Sequence, residues 1–173
     1  MANKKNKVHI ILTGGTIDSY YDGKLDTVKC FDKSIIPKYL DNLNLYFDFK
    51  FTTVCMKDSR ELTRKDLKKI LDTITKSKYK HIIVTHGSYT MPDTTRYLKA
   101  NLKKNDKTII LTGSMIPLDD FSMSDAQFNL GYCLSAFNYL KHGIHLCMNG
   151  KIFSADESMK VISEGRFSSI FGE

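Results

Sequence analysis

Proline is scarce, three residues in 173, and no Pro-, Gly- or Ser-rich tract, internal repeat or charged linker interrupts the chain. That excludes a disordered or fibrous protein and leads us to expect one domain over residues 1–173. Cysteine is sparse as well: Cys30, Cys55, Cys133 and Cys147 form no Cys-x-x-Cys pair, so neither a disulfide nor a zinc site is expected. No apolar run approaches the ~20 residues of a membrane span, and "MANKKNK" leads into a short strand without the apolar stretch of a signal peptide. The expectation is a cytoplasmic chain with no membrane partner. Two phosphate-binding signatures are also missing. "GGTIDSYY" lacks the Gly-Lys-Ser/Thr of a P-loop, and no Gly-x-Gly-x-x-Gly occurs, which moves nucleotides to second rank.

What is present is a soluble composition, 42% apolar and 26% charged, with a formal charge of +7. The lysines fall in short groups: Lys4, Lys5 and Lys7; Lys65, Lys68 and Lys69; Lys76, Lys78 and Lys80; Lys103, Lys104 and Lys107. They lie at element ends without interleaved aromatics, so they read as solvated faces rather than a nucleic-acid surface. An anionic small molecule remains compatible with that charge.

"VHIILT" (8–13), "HIIVT" (81–85), "TIILTG" (108–113) and "IHLCMNG" (144–150) are short, nearly continuous apolar runs, the pattern of strands buried on both faces of a parallel sheet. "LYFDFKFTTV" (45–54) alternates in its first half and reads as an edge strand, which makes five. Helical stretches at 32–43, 63–76, 91–104 and 124–142 separate them. In the second, Leu67, Ile70, Leu71 and Ile74 recur at helical spacing behind a Thr63/Asp66 cap. Alternating strands and helices predict an α/β fold: a three-layer, open, mostly parallel sheet with helices on both faces. The segment after Gly150 reads as a short hairpin or irregular tail on the sheet edge.

Ligands of such sheets bind at the carboxyl ends of the strands. Three strands here end in related loops, "LTGGT" (12–16), "THGSYT" (85–90) and "LTGSM" (111–115). Glycine after a strand lets backbone N–H groups approach an anion or oxyanion, and three hydroxyl-bearing loops on one edge make a site. A threonine at a strand end also serves simply to bond a backbone group, a reading open for Thr13 and Thr16 alike. His86 reads as a structural residue, since no second His or acid stands at metal spacing.

"TGGTI" (13–17), "DS" (58–59), "THGSYTM" (85–91), "LTGSMIP" (111–117), "SDAQFNL" (124–130) and "MNGKIFSADESMK" (148–160), taken in order, resemble the motifs of the bacterial-type L-asparaginase and glutaminase family, in a short-chain form corresponding to its amino-terminal domain. The resemblance implies an amidohydrolase acting on L-asparagine or a related small carboxamide, with no cofactor and no metal. Thr16 would be the nucleophile and form an acyl-enzyme, Tyr20 or Tyr21 would activate it, and Ser88 with Lys160 would form a second catalytic group. Ser59 would hold the substrate carboxylate. Gly15, Gly87 and Ser114 stand in the loops whose N–H groups would face the oxyanion. The family's larger members complete the site from a carboxy-terminal domain, so a homodimer or higher homo-oligomer is expected. One position departs from the pattern: Tyr89 replaces an aspartate that receives the substrate ammonium. Either Asp58, Glu61 or Asp125 supplies the charge, or the substrate differs. The alternative function is a catalytically impaired small-molecule-binding or regulatory protein.

Overall fold

The computed structural model describes residues 6–103, 106–120 and 122–172. Lys4, Lys5 and Lys104, counted among the lysine groups above, lie outside these residues. In chain order the elements are β1 (Asn6–Gly14), β2 (Ser19–Asp22), β3 (Thr27–Cys30), α1 (Ile36–Asn42), β4 (Phe47–Lys57), α2 (Arg64–Lys76), β5 (His81–Thr85), α3 (Met91–Asn101), β6 (Thr108–Thr112), α4 (Ala126–Ala136), β7 (Gly143–Met148), β8 (Lys151–Ser154), β9 (Ser158–Val161) and β10 (Arg166–Ser169).

The apolar runs form the expected sheet. It has the order β4-β1-β5-β6-β7-β8, parallel from β4 through β7, with β8 antiparallel at one edge. The alternating segment 45–54 is the other edge strand, β4. The sheet has six strands rather than five because the chain turns back after Met148, at Asn149 and Gly150, both with positive φ. Lys151 and Phe153 then pair with Met148 and Leu146.

Side chains alternate across the buried strands and divide the core in two. Val8, Ile10 and Leu12 of β1 and Ile83 of β5 pack with Ile36 and Leu40 of α1 and Leu130 and Leu134 of α4. Ile11, Ile82 and Val84 pack on the other face with Ile70 and Ile74 of α2 and Met91 and Leu98 of α3. The result is three layers. Helix α2 begins as its sequence predicts: the Thr63 hydroxyl accepts from Asp66 N–H, and the Asp66 carboxylate accepts from Thr63 N–H in return. Helices α1 and α4 are shorter than their periodicity implied. The Asp18 carboxylate accepts from Ser34 Oγ at 3.0 Å and Ile35 N–H at 2.9 Å, holding the chain just ahead of α1. After Ala136 the chain passes into turns, with Asn138 and Tyr139 bonding three residues back, and Phe137 stacks on His81 with ring centroids 4.5 Å apart.

Strand β1 lies between β4 and β5, so the chain winds outward from it in both directions. The crevice of an open α/β sheet forms where such a reversal occurs, at the carboxyl ends of the strands. Gly14, Gly15, Ser59 and the 86–89 segment all lie at that end. The tail folds back over the same region as a β9–β10 hairpin.

Candidate active site

The glycine loops are pressed together backbone against backbone. A Cβ on Gly15 would lie 2.3 Å from Gly87 N, and one on Gly14 2.4 Å from Lys57 N. A Cβ on Gly87 would lie 2.7 Å from the Ser59 Cβ, and one on Gly113 2.2 Å from the His86 carbonyl oxygen. The loops after β1, β4, β5 and β6 therefore meet in one place because they lack side chains there.

The hydroxyls divide by their partners. Thr13 donates to the Thr85 carbonyl at 2.7 Å, the backbone role that a strand-end threonine commonly takes. Thr16 is half-buried in a single 3-10 turn, Thr16–Asp18, and its hydroxyl has no hydrogen-bond partner among the described residues. Among the described residues neither loop phenol hydrogen-bonds it: Tyr20 packs on Phe31 at 5.0 Å between centroids, and Tyr21, about half exposed, donates its hydroxyl to Asp26. Ser59 is buried, accepts from Thr90 N–H at 3.3 Å, and through its carbonyl accepts from the Thr90 hydroxyl at 2.9 Å.

Ser88, buried after β5, accepts a hydrogen bond of 2.7 Å from Lys160 Nζ on β9. Lys160 is half-buried rather than solvated as a lone lysine in a polar tail usually is. Burial, and then the positive charge of Arg60, pull its pKa below the ordinary lysine value, with Asp58 opposing. This adds to the fraction that is neutral and able to accept a proton.

Several expected participants have other work. The N–H of Gly15 donates to the Lys57 carbonyl at 2.9 Å, so it is not available to an oxyanion. Ser114 is fully buried and donates to the Ile116 carbonyl at 2.6 Å, shaping its own loop. Asp125 accepts from Met115 N–H, Ile116 N–H and Asn129 Nδ2, which anchors that loop to α4. Asp58 is clamped by Arg60, whose Nε and Nη2 each donate at 3.0 Å and whose backbone N–H donates at 2.8 Å. The bond to Arg60 holds the Asp58 carboxyl below its usual range. Arg60 itself escaped the sequence reading, where an exposed arginine two residues after an aspartate carries no distinctive signal. It stands over one side of the Tyr89 ring at 5.6 Å, and Lys160 lies 5.9 Å from the same centroid.

A comparison with known families gives one match of direct consequence: the family described as asparaginase, N-terminal, covers residues 7–170. The chain belongs to the asparaginase family. It is 29% identical over 171 residues to a glutaminase-asparaginase of Acinetobacter glutaminasificans, covering 92% of this chain and 51% of that protein. It is 31% identical over 113 residues to L-asparaginase 1 of Escherichia coli K12, covering 64% of this chain and 33% of that one. Among solved structures, L-asparaginase I of Vibrio cholerae superposes with a TM-score of 0.80 at 29% identity, over 95% of this chain and 51% of its own. The thermostable L-asparaginase of Thermococcus kodakarensis does so with 0.79 at 26%, over 95% and 51%. This asparaginase-family chain thus spans about half the length of the glutaminase-asparaginase it matches. No helix among its described residues is long and apolar enough to cross a membrane.

His86 supports the asparaginase-family loops from below. It is fully buried, its Nδ1 bonds the Gly87 carbonyl at 2.7 Å, and its Nε2 meets the Thr94 hydroxyl at 2.9 Å. A carbonyl only accepts, so Nδ1 carries the proton and Nε2 accepts. Burial pushes the His86 pKa down to about 4. His9, nearer the other end of β1 and bonded to Ser77 and Thr52, is likewise pushed to about 4 by burial and then by Lys50. In the unfolded chain both imidazoles take a proton near 6.5, whereas the folded chain refuses it until about pH 4. The unfolded state binds more protons in that window, so stability is fully present above it and falls as the pH falls through it. The melting temperature should drop between pH 6.5 and about 4, and drop less steeply in His9→Gln, in calorimetric scans across that range.

Proposed function

We propose that the chain is an amidohydrolase that releases ammonia from a small carboxamide at the carboxyl edge of its sheet. The observation that carries this reading is the Lys160–Ser88 contact of 2.7 Å beside the fused glycine loops. Thr16 is the nucleophile: it is the hydroxyl of the "TGGT" turn that no backbone carbonyl engages, whereas Thr13 is held. Its Oγ forms a bond to the amide carbon while its proton passes to the Ser88–Lys160 pair, whose depressed lysine pKa favours acceptance. The tetrahedral intermediate collapses as the amide nitrogen takes a proton and leaves as ammonia. Water then cleaves the Thr16 ester to the free acid. With Gly15 N–H engaged, the oxyanion donors are drawn from the 87–88 backbone, where neither N–H donates a hydrogen bond among the described residues. Each such donor contributes roughly 3–4 kcal/mol of transition-state stabilisation.

The relatives named glutaminase-asparaginase and L-asparaginase support an amide of this size. The experiment is ammonia release by the 173-residue chain from asparagine, glutamine, succinamate and simple aliphatic amides, with hydroxylamine added as a competing nucleophile. An acyl-enzyme yields the hydroxamate as well as the acid. Ammonia from none of these amides removes the reading; ammonia without hydroxamate removes its covalent step.

A further inference from the structure

The charges around Lys160 do not balance in the way an amino-acid substrate requires. Asp93, Arg96 and Lys160 line a recess of about 280 Å3 beside Tyr89, and Arg60, paired with Asp58, stands over the Tyr89 ring. Both carboxylates are taken. Asp58 is held by Arg60 through the side chain and through the backbone N–H, and Asp93 is paired with Arg96 at 3.1 Å. Lys160 has no carboxylate partner among the described residues; its bond is to the neutral Ser88 hydroxyl. Glu61 is exposed, and the charges that bear on Lys160 are Arg60 and Asp58. Asp125 is bound to the loop backbone at Met115 and Ile116.

Tyr89, half exposed, has its ring centroid 5.6 Å from the Arg60 guanidinium and 5.9 Å from Lys160 Nζ, and offers both cations a ring but no negative charge. An ammonium brought beside the Tyr89 ring would meet both cations; Asp58 and Asp93 are already paired, and Glu61, which bears on Arg60, is exposed and does not bear on Lys160. Like charges in such proximity oppose binding. A carboxylate would meet the opposite situation. Arg60 uses its Nε and Nη2 on Asp58 and keeps Nη1, and Ser59 keeps its hydroxyl proton, with no acceptor among the described residues.

We infer that the site selects carboxamides that carry a carboxylate and lack an ammonium, with Tyr89, beside Arg60 and Lys160, as the specificity-determining residue. The choice of amides rests on the hydrolytic reading above; the exclusion of the ammonium rests on the charges alone. The matched probes are succinamate and L-asparagine, which differ only by the α-ammonium.

Binding of both is measured by calorimetry on the Thr16→Ala chain, so that turnover does not intervene. Succinamate should bind at least tenfold more tightly. Tyr89→Asp, which brings a carboxylate to the position beside the two cations, should narrow or reverse that ratio, and Tyr89→Asn, similar in size to that aspartate but uncharged, should leave the order unchanged. Asparagine binding as tightly as succinamate overturns the inference. So does failure of both to bind, or a ratio that Tyr89→Asp does not move. Succinamate preference in binding, together with no ammonia from any amide with the unmodified chain, supports this inference while removing the hydrolytic one.

Discussion

Thr16→Ala should reduce ammonia release by about a thousandfold or more while leaving the folded protein intact, the result expected when the proposed nucleophile is removed. The separation of the two effects comes from the structure. The Thr16 hydroxyl makes no hydrogen bond among the described residues, and the side chain is only half-buried. Its removal leaves no buried donor or acceptor unsatisfied and opens no deep cavity, so the stability change should stay within about 0.5 kcal/mol. Thermal unfolding beside the ammonia assay measures both. Thr16→Ser should retain part of the rate. Lys160→Met, which keeps the length and apolar stem but not the amine, should lose roughly 10²–10⁴-fold, the usual contribution of a positioned base. In the unmodified chain the rate should rise with pH as Lys160 loses its proton, at lower pH than for a solvated lysine, because burial and Arg60 depress its pKa. A Thr16→Ala chain that releases ammonia at the original rate would assign the chemistry to another residue.

The second large effect is structural. Gly15→Ala should destabilise the fold by more than about 3 kcal/mol, since two independent penalties coincide. Gly15 has φ 80° and ψ −179°, a region open almost exclusively to glycine. The added Cβ would also lie 2.3 Å from Gly87 N and 2.4 Å from Gly87 Cα, both backbone atoms that cannot rotate aside. For a chain of this size that corresponds to a melting temperature lower by about 6–12 °C or more. Gly131→Ala is the contrast: it lies on α4 with nothing within 4 Å of its Cβ position. Alanine there should be neutral or add about 0.5–1 kcal/mol, the usual helix-interior difference from glycine. Equal melting temperatures for the two variants would mean that the glycine loops are not packed as described.

The parallel sheet was legible because its strands are buried on both faces, and nothing but continuous apolar runs satisfies that condition. Ile10, Ile83 and Ile110 announce themselves as core. The Thr63/Asp66 cap and the helical spacing of α2 were equally plain, since both are local. The ends of α1 and α4 were not, because they depend on Asp18 reaching Ser34 and on Phe137 reaching His81. The same distinction runs through the site. The three glycine loops could be read from their punctuation, but not which atoms would be occupied on folding. Gly15 N–H, Ser114 and Asp125 are engaged by partners that no local pattern specifies. Arg60 went unnoticed because an isolated surface arginine has no signature until Asp58 and Tyr89 fix it in place. Lys160 carried the least local support of any site residue, and the family motif rather than its spacing brought it forward.

The contact between Ser88 and Lys160 spans 72 positions, and this has a consequence for how the protein comes into being. On the ribosome, every strand from β1 to β7 and all three glycine turns are translated before that amine exists. On the proposed reading, the amine beside Ser88 arrives with the β9–β10 hairpin, so hydrolysis waits on the seating of β9.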